Sequence, residues 1–284
     1  MILSSTILIG FLRLFLLLLF LYYCNNKLVK RQESHTLIQF IVNEWFKYGS
    51  LSIIIMFVLI QLRIYSLINF LLILLFLIMI DVVGIKNLKN PVKFFKEASK
   101  SRFFDFIKNA ENKKSIKEII KLERPKKLKD DRVFIFYTTL VLIVAAFLGR
   151  YYFYIYDIYL LSDLWISDLY KIIQFDTNNW FNGTVSVEGE LAFGNLYSKL
   201  VNISPEVGLQ SLSIIEDVLL SLIVFWTLRK ITLSAVFAPM VAFLTFVFLY
   251  TFSPIEIHYL LQNEPVLMGL TFGIPAMVYV LRPD

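Results

Sequence analysis

The stretch "SAVFAPMVAFLTFVFLYTF", residues 234–252, carries no charge and offers no polar face at helical spacing. A helix in water needs a face for water, whereas a helix in hydrocarbon satisfies its own backbone, so this run is predicted to lie inside a bilayer. Three neighbours are of the same kind: "VFIFYTTLVLIVAAFLG" (133–149), "LSIIEDVLLSLIVFWTL" (212–228) and "PVLMGLTFGIPAMVYVL" (265–281). Each approaches the roughly 20 residues that a hydrocarbon core about 30 Å thick requires. With 231–252 as the complete third run, the second half makes four crossings. A hydrophobic content of 58% rules out a soluble domain with polar outer faces, and the chain is expected to be an all-α polytopic membrane protein.

In the first half, Ile2 to Tyr23 is too long for a signal-peptide core and no small-residue cleavage site follows it, so it reads as a retained anchor. Ser50 to Val83 is too long for one upright helix and is interrupted by "QLRIYS" around Arg63. A tilted single span and a tight hairpin both fit. The hairpin is preferred, because it keeps Lys27, Lys30, Arg31 and Lys47 on the side of the other basic clusters. The total is then about seven transmembrane helices.

Charge sets the orientation. From Gly84 to Arg132 there are sixteen Lys and Arg against seven Asp and Glu; from Arg150 to Ser211 there are three against seven. Short basic ends before Val133, at Arg229–Lys230 and at Arg282 then mark the cytoplasmic side, and residues 150–211 face away from it. The chain divides into an N-terminal membrane region (1–83), a basic cytoplasmic segment (84–132) and a membrane module (133–284) with its large loop at 150–211. In the basic segment Phe95, Ala98, Phe103, Phe106 and Ala110 recur at roughly helical spacing. Either a solvated helix or an amphipathic helix on anionic lipid head groups fits. The overall charge of +6 is confined mainly to this segment between spans, which argues against nucleic acid as a partner. Composition fits a bacterial or archaeal inner membrane or an organellar membrane.

Chemistry is to be sought in the outer loop. "SDLWISDLYKIIQFDTNNWFNG" (162–183) sets Asp163, Asp168 and Asp176 among aromatic side chains, which belong at a membrane interface. The acids have an ordinary reading as well: an Asp here serves commonly as a helix cap or a solvated charge. Glu216 and Asp217 are placed near the outer end of a span, where water solvates them. Cys24 is the sole cysteine, which excludes an intramolecular disulfide and a thiolate zinc cluster. There is no phosphate-binding glycine loop, no His-Glu-x-x-His pair and no nucleophile elbow, and His35 and His258 are the only histidines. Asn182 and Asn202 begin glycosylation-type triplets, which arise readily by chance.

The order of features is familiar: a span, an acidic aromatic loop with "DLYKIIQFDTNNWFNG", then "LAFGNLYSKLVNISPEVGLQSLSIIEDVLLSLIVFWTLRKIT" leading into the next span. Over about 134–283 this resembles the C-type superfamily of membrane glycosyltransferases, in particular the lipid A aminoarabinose transferases and protein O-mannosyltransferases. The resemblance implies transfer of a sugar from a polyprenyl-phosphate donor to an acceptor at the non-cytoplasmic face. Asp168, before Leu169–Tyr170, matches the loop acid and is implied as general base, with Asp163 second. Glu264, before Pro265, matches the second acidic position, for substrate or a divalent metal. Arg150 is implied as a donor to the carrier phosphate, with His258 in a supporting place. The family's Lys-Pro-Pro or His-Pro-Pro element is replaced by "SVEGELAFGN", where Glu188 or Glu190 takes the polar role. The family also has more spans, so the resemblance implies a longer parent chain, spans lent by other membrane subunits, or the fold's beginning without the activity. The competing expectation is therefore an accessory or structural subunit of a membrane complex. A transporter would need more charge inside its spans than Arg13, Arg63 and the Glu216–Asp217 pair supply.

Overall fold

The computed structural model describes residues 2–28, 36–83, 126–153, 162–180, 189–232, 237–242 and 265–281. Every regular element among them is helical. We number them α1 (Ile2–Leu28), α2 (Leu37–Gln61), α3 (Leu67–Val83), α4 (Lys126–Phe153), α5 (Asp163–Gln174), α6 (Gly189–Val201), α7 (Pro205–Thr232) and α8 (Pro265–Leu281). Within α2, α4 and α7, the stretches Leu37–Gln61, Val133–Tyr151 and Pro205–Ile231 are long and apolar enough to cross a membrane. Shorter apolar helices cover Thr6–Leu19, Leu67–Ile80 and Pro265–Leu281. This is the profile of an integral membrane protein, and side chains such as Ile54, Val141, Leu148 and Val280 are exposed where water would oppose them. The expected span at 231–252 lies mostly outside the described residues, as does the basic segment 84–125.

α7 is the axis of the bundle: 72% of its apolar window is buried, against 28% in α2 and 22% in α4. Near its C-terminal end Leu222, Ile223 and Trp226 pack with Ile38 and Val42 of α2, Ile135 of α4 and Val278 of α8. Near its N-terminal end Leu209 and Leu212 pack with Met56 and Leu59 of α2, Phe70 of α3 and Ile172 of α5. The basic start of α4 and the Arg229–Lys230 pair therefore gather at one end, and the Lys230 ammonium sits 5.1 Å from the Trp226 ring centroid. The segment that begins at Ser162 gathers at the other.

The interruption at "QLRIYS" is a full break. Arg63 turns to φ 58°, its N–H donates to the Ile60 carbonyl, and the Ile64 N–H reaches back to the Leu59 carbonyl, which satisfies the last carbonyls of α2. The chain then resumes as α3, packed on α2. Arg13, within α1, donates to the Val201 and Asn202 carbonyls at 2.7 and 3.0 Å, where a cation suits the end of α6.

α2 contains one wide turn, Trp45–Gly49, wound as a π-helix. Hydroxyls cover carbonyls there: Ser50 donates to Phe46 and Ser52 to Tyr48, each at 2.6 Å. The turn aims Trp45 at α8, where its indole N–H meets Thr271 Oγ1 at 3.1 Å and its ring stacks on Phe272. α6 and α7 approach closely at two glycines. A Cβ on Gly208 would stand 2.9 Å from Ser198 Cβ and 3.2 Å from the Gly194 carbonyl oxygen, whereas one on Gly269 meets open space. Gly208→Val should therefore cost about 1–3 kcal/mol by overpacking and lower the melting temperature in detergent, with Gly269→Ala unchanged in the same circular-dichroism melt.

Candidate functional site

α5 begins where Ser162 accepts a hydrogen bond from the Trp165 N–H at 3.3 Å. Asp163 stands exposed in the first turn, where the helix dipole favours a negative charge. Asp168 is half-buried on the same helix and lies 3.2 Å from the Lys171 ammonium, one turn on. A carboxylate and a cation are thus adjacent at the end of the bundle away from Arg229 and Lys230.

A second polar centre follows at once. The 3-10 turn Phe175–Thr177 ends at Asn178 with φ 57°, and the Asn178 side-chain oxygen accepts the Tyr65 N–H at 2.8 Å. Buried Asn195 of α6 donates to the Ile172 carbonyl at 3.0 Å and to Asp176 Oδ1 at 2.8 Å, and it accepts the Tyr65 hydroxyl at 2.7 Å. Lys199 pairs with Asp176 and sits 4.5 Å from the centroid of the Tyr65 ring. The tip of the α2–α3 hairpin is thereby tied to α5 and α6. Burial, together with the Asp176 charge, pushes the Tyr65 phenol above its ordinary range.

The third centre lies deeper. Arg150, near the end of α4, is buried and forms a two-pronged pair with Asp217 of α7, its Nη2 donating to Oδ1 at 2.9 Å and its Nε to Oδ2. Asp217 and Glu216 are 3% and 1% exposed, and α7 runs back to Pro205, so neither is the solvated terminal charge that sequence suggested. Asp217 stands thirteen residues before Lys230, or about 20 Å along the helix. If Lys230 marks one face of a hydrocarbon core about 30 Å thick, the pair is inside it by about 10 Å. Glu190 is buried in the first turn of α6. Gly194 faces Leu212 and Gly208 faces Ser198, so the same antiparallel register brings Glu190 to the level of Glu216.

Arg150 is thus assembled with Asp217, and Asp168 with Lys171; Glu188, His258 and Glu264 lie outside the described residues. Sequence reasoning passed over Asn195, Tyr65 and Lys199. One signal was available: an Asn within the helical run "LAFGNLYSKLV" needs partners if buried. Among the described residues no group of three or more metal-ligating His, Cys, Asp or Glu side chains is present. Compared with family models, curated proteins and solved structures, the chain matches none.

Two outcomes are expected. Asp217→Asn, which leaves the Arg150 guanidinium without its carboxylate, should destabilise by about 3–5 kcal/mol in a detergent unfolding titration, and Arg150→Met with Asp217→Leu should recover most of that loss. The Tyr65 phenol is raised in the folded state, so its contribution is intact below about pH 10 and is lost as pH rises beyond that value. Melts at increasing pH should show the fall, and Tyr65→Phe should flatten it.

Proposed function

We propose that this chain is a membrane module of the C-type glycosyltransferase kind, with about seven spans and residues 150–211 on the non-cytoplasmic face. It transfers a sugar from a polyprenyl-phosphate donor to an acceptor hydroxyl. The supporting observation is the folding of the acidic segment: between two apolar helices it forms a docked helix, α5, that holds Asp168 beside Lys171 at the end of the bundle away from Arg229 and Lys230. In this reading Asp168 takes the acceptor proton while the Lys171 ammonium stabilises charge on the departing phosphate. Arg150 is engaged by Asp217, so its part is to set the level of α4 against α7, unless donor binding draws it away. Glu264, His258, Glu188 and a divalent metal complete the proposal from the family resemblance.

The competing reading, a non-catalytic subunit of a membrane complex, is favoured by one specific fact: Asp176, Asn195, Lys199 and Tyr65 are all engaged in fastening the hairpin to α5 and α6. The test is incorporation of labelled sugar from polyprenyl-phosphate donors by the protein in liposomes. Asp168→Asn should lower transfer by about 100-fold or more with the melting temperature retained, whereas Asp163→Asn should lower it far less. No transfer by the unaltered protein, together with stoichiometric co-purification of other membrane chains, would favour the subunit reading.

A further inference from the structure

α5 has three longitudinal faces. Trp165, Leu169 and Ile172 turn into the bundle, and Trp165 belongs to two clusters at once, one with the α2–α3 hairpin and one with Ile7, Phe147 and Tyr151. The helix therefore crosses the end of the bundle from one flank to the other. On one side of this buried face lie Asp163, Leu164, Ser167, Lys171 and Gln174, of which Asp163, Leu164 and Ser167 are exposed. On the other side Ile166, Tyr170 and Ile173, spaced four and three residues apart, are 59%, 54% and 43% exposed. A helix at a plain water boundary would not carry an exposed apolar stripe beside an exposed polar one.

The height of α5 explains the division. Ile172 shares a cluster with Leu209 of α7, which stands twenty-one residues before Lys230. That separation is about 32 Å along a straight helix, close to the hydrocarbon thickness of about 30 Å. If the Arg229–Lys230 end lies at one face of the bilayer, α5 lies at the other. Ile54, Val58 and Leu62 at the end of α2 and Ile68 of α3 are exposed and apolar as well.

We infer that α5 is an interfacial helix seated in the outer leaflet, with Ile166, Tyr170 and Ile173 at the acyl boundary and Asp163 and Ser167 among the head groups. Its partner is the lipid leaflet, met along one flank, and Tyr170 supplies the aromatic ring suited to that depth. The inference depends on α7 crossing the membrane and is independent of sugar transfer.

Site-directed spin labelling tests this in the full chain, with Cys24→Ser as background and Asp163→Cys, Ile166→Cys, Ser167→Cys or Ile173→Cys labelled in phosphatidylcholine vesicles. Relaxation by oxygen relative to a water-soluble nickel chelate should be several-fold greater at 166 and 173 than at 163 and 167. Equal ratios on both flanks, or nickel preference at 166 and 173, would overturn the inference; shielding of 166 and 173 from both reagents would mean that another chain covers the stripe. A membrane-impermeant maleimide gives a second readout on the unlabelled cysteines, with reaction at 167 and protection at 173 expected. Reaction at both would also overturn it.

Discussion

The ion pair between Arg150 and Asp217 constrains the whole bundle, because a buried charge tolerates little displacement from its partner. A guanidinium near the end of α4 must meet a carboxylate twelve residues into α7, which fixes how far the two helices slide past one another. With that offset, the first turns of α7 meet the last turns of α4, where Val207 clusters with Phe147, Tyr151 and Ile7 of α1, while Leu209 and Leu212 pack against α5 and α6. The outer assembly of short helices is thus a consequence of where one charge pair sits.

That assembly is held by a different kind of force from the bundle beneath it. Below, exposed and buried aliphatic side chains alike suit hydrocarbon, so packing around Leu222, Ile223 and Trp226 carries the association. Above, the hairpin tip is fixed by directional bonds from Tyr65, Asn178 and Asn195, with Asp176 and Lys199 around them. Polar groups taken from water require partners, and here each supplies another's need. Asp168 and Lys171 stand on α5, the helix that this network ties to the hairpin tip and to α6.

Much of the architecture could be read from the chain. The runs at 133–149, 212–228 and 265–281 all fall within helices, the interruption around Arg63 separates two helices, and the start of α4 and the Arg229–Lys230 turn of α7 lie at one end. Those features depend on local composition, which a sequence displays directly. The depth of Glu216 and Asp217 could not be read so, because hydropathy places the edge of a span by the loss of apolar residues, whereas "PEVGLQSLS" remains helical by packing on α6. The partners of Asn195 were hidden for a related reason: Tyr65 is 130 residues away, and no periodicity links them. The role of Arg150 was visible only as a charge near a helix end, since its partner depends on how far α4 slides along α7.

The π turn of α2 gives that helix a tolerance for chain length. A regular helix advances about 100° per residue, and a π turn absorbs one residue more than the α-helix would in the same space. Loss of a single residue within Trp45–Gly49 would let the turn close to an α-helical one while Ser50–Gln61, with the Arg63 turn beyond it, kept their azimuth. Tyr65 would then stay with Asn195, and the change would be confined to the turn that aims Trp45 at Phe272. Related chains that differ there by one residue would present the same side of the hairpin to α5 and α6.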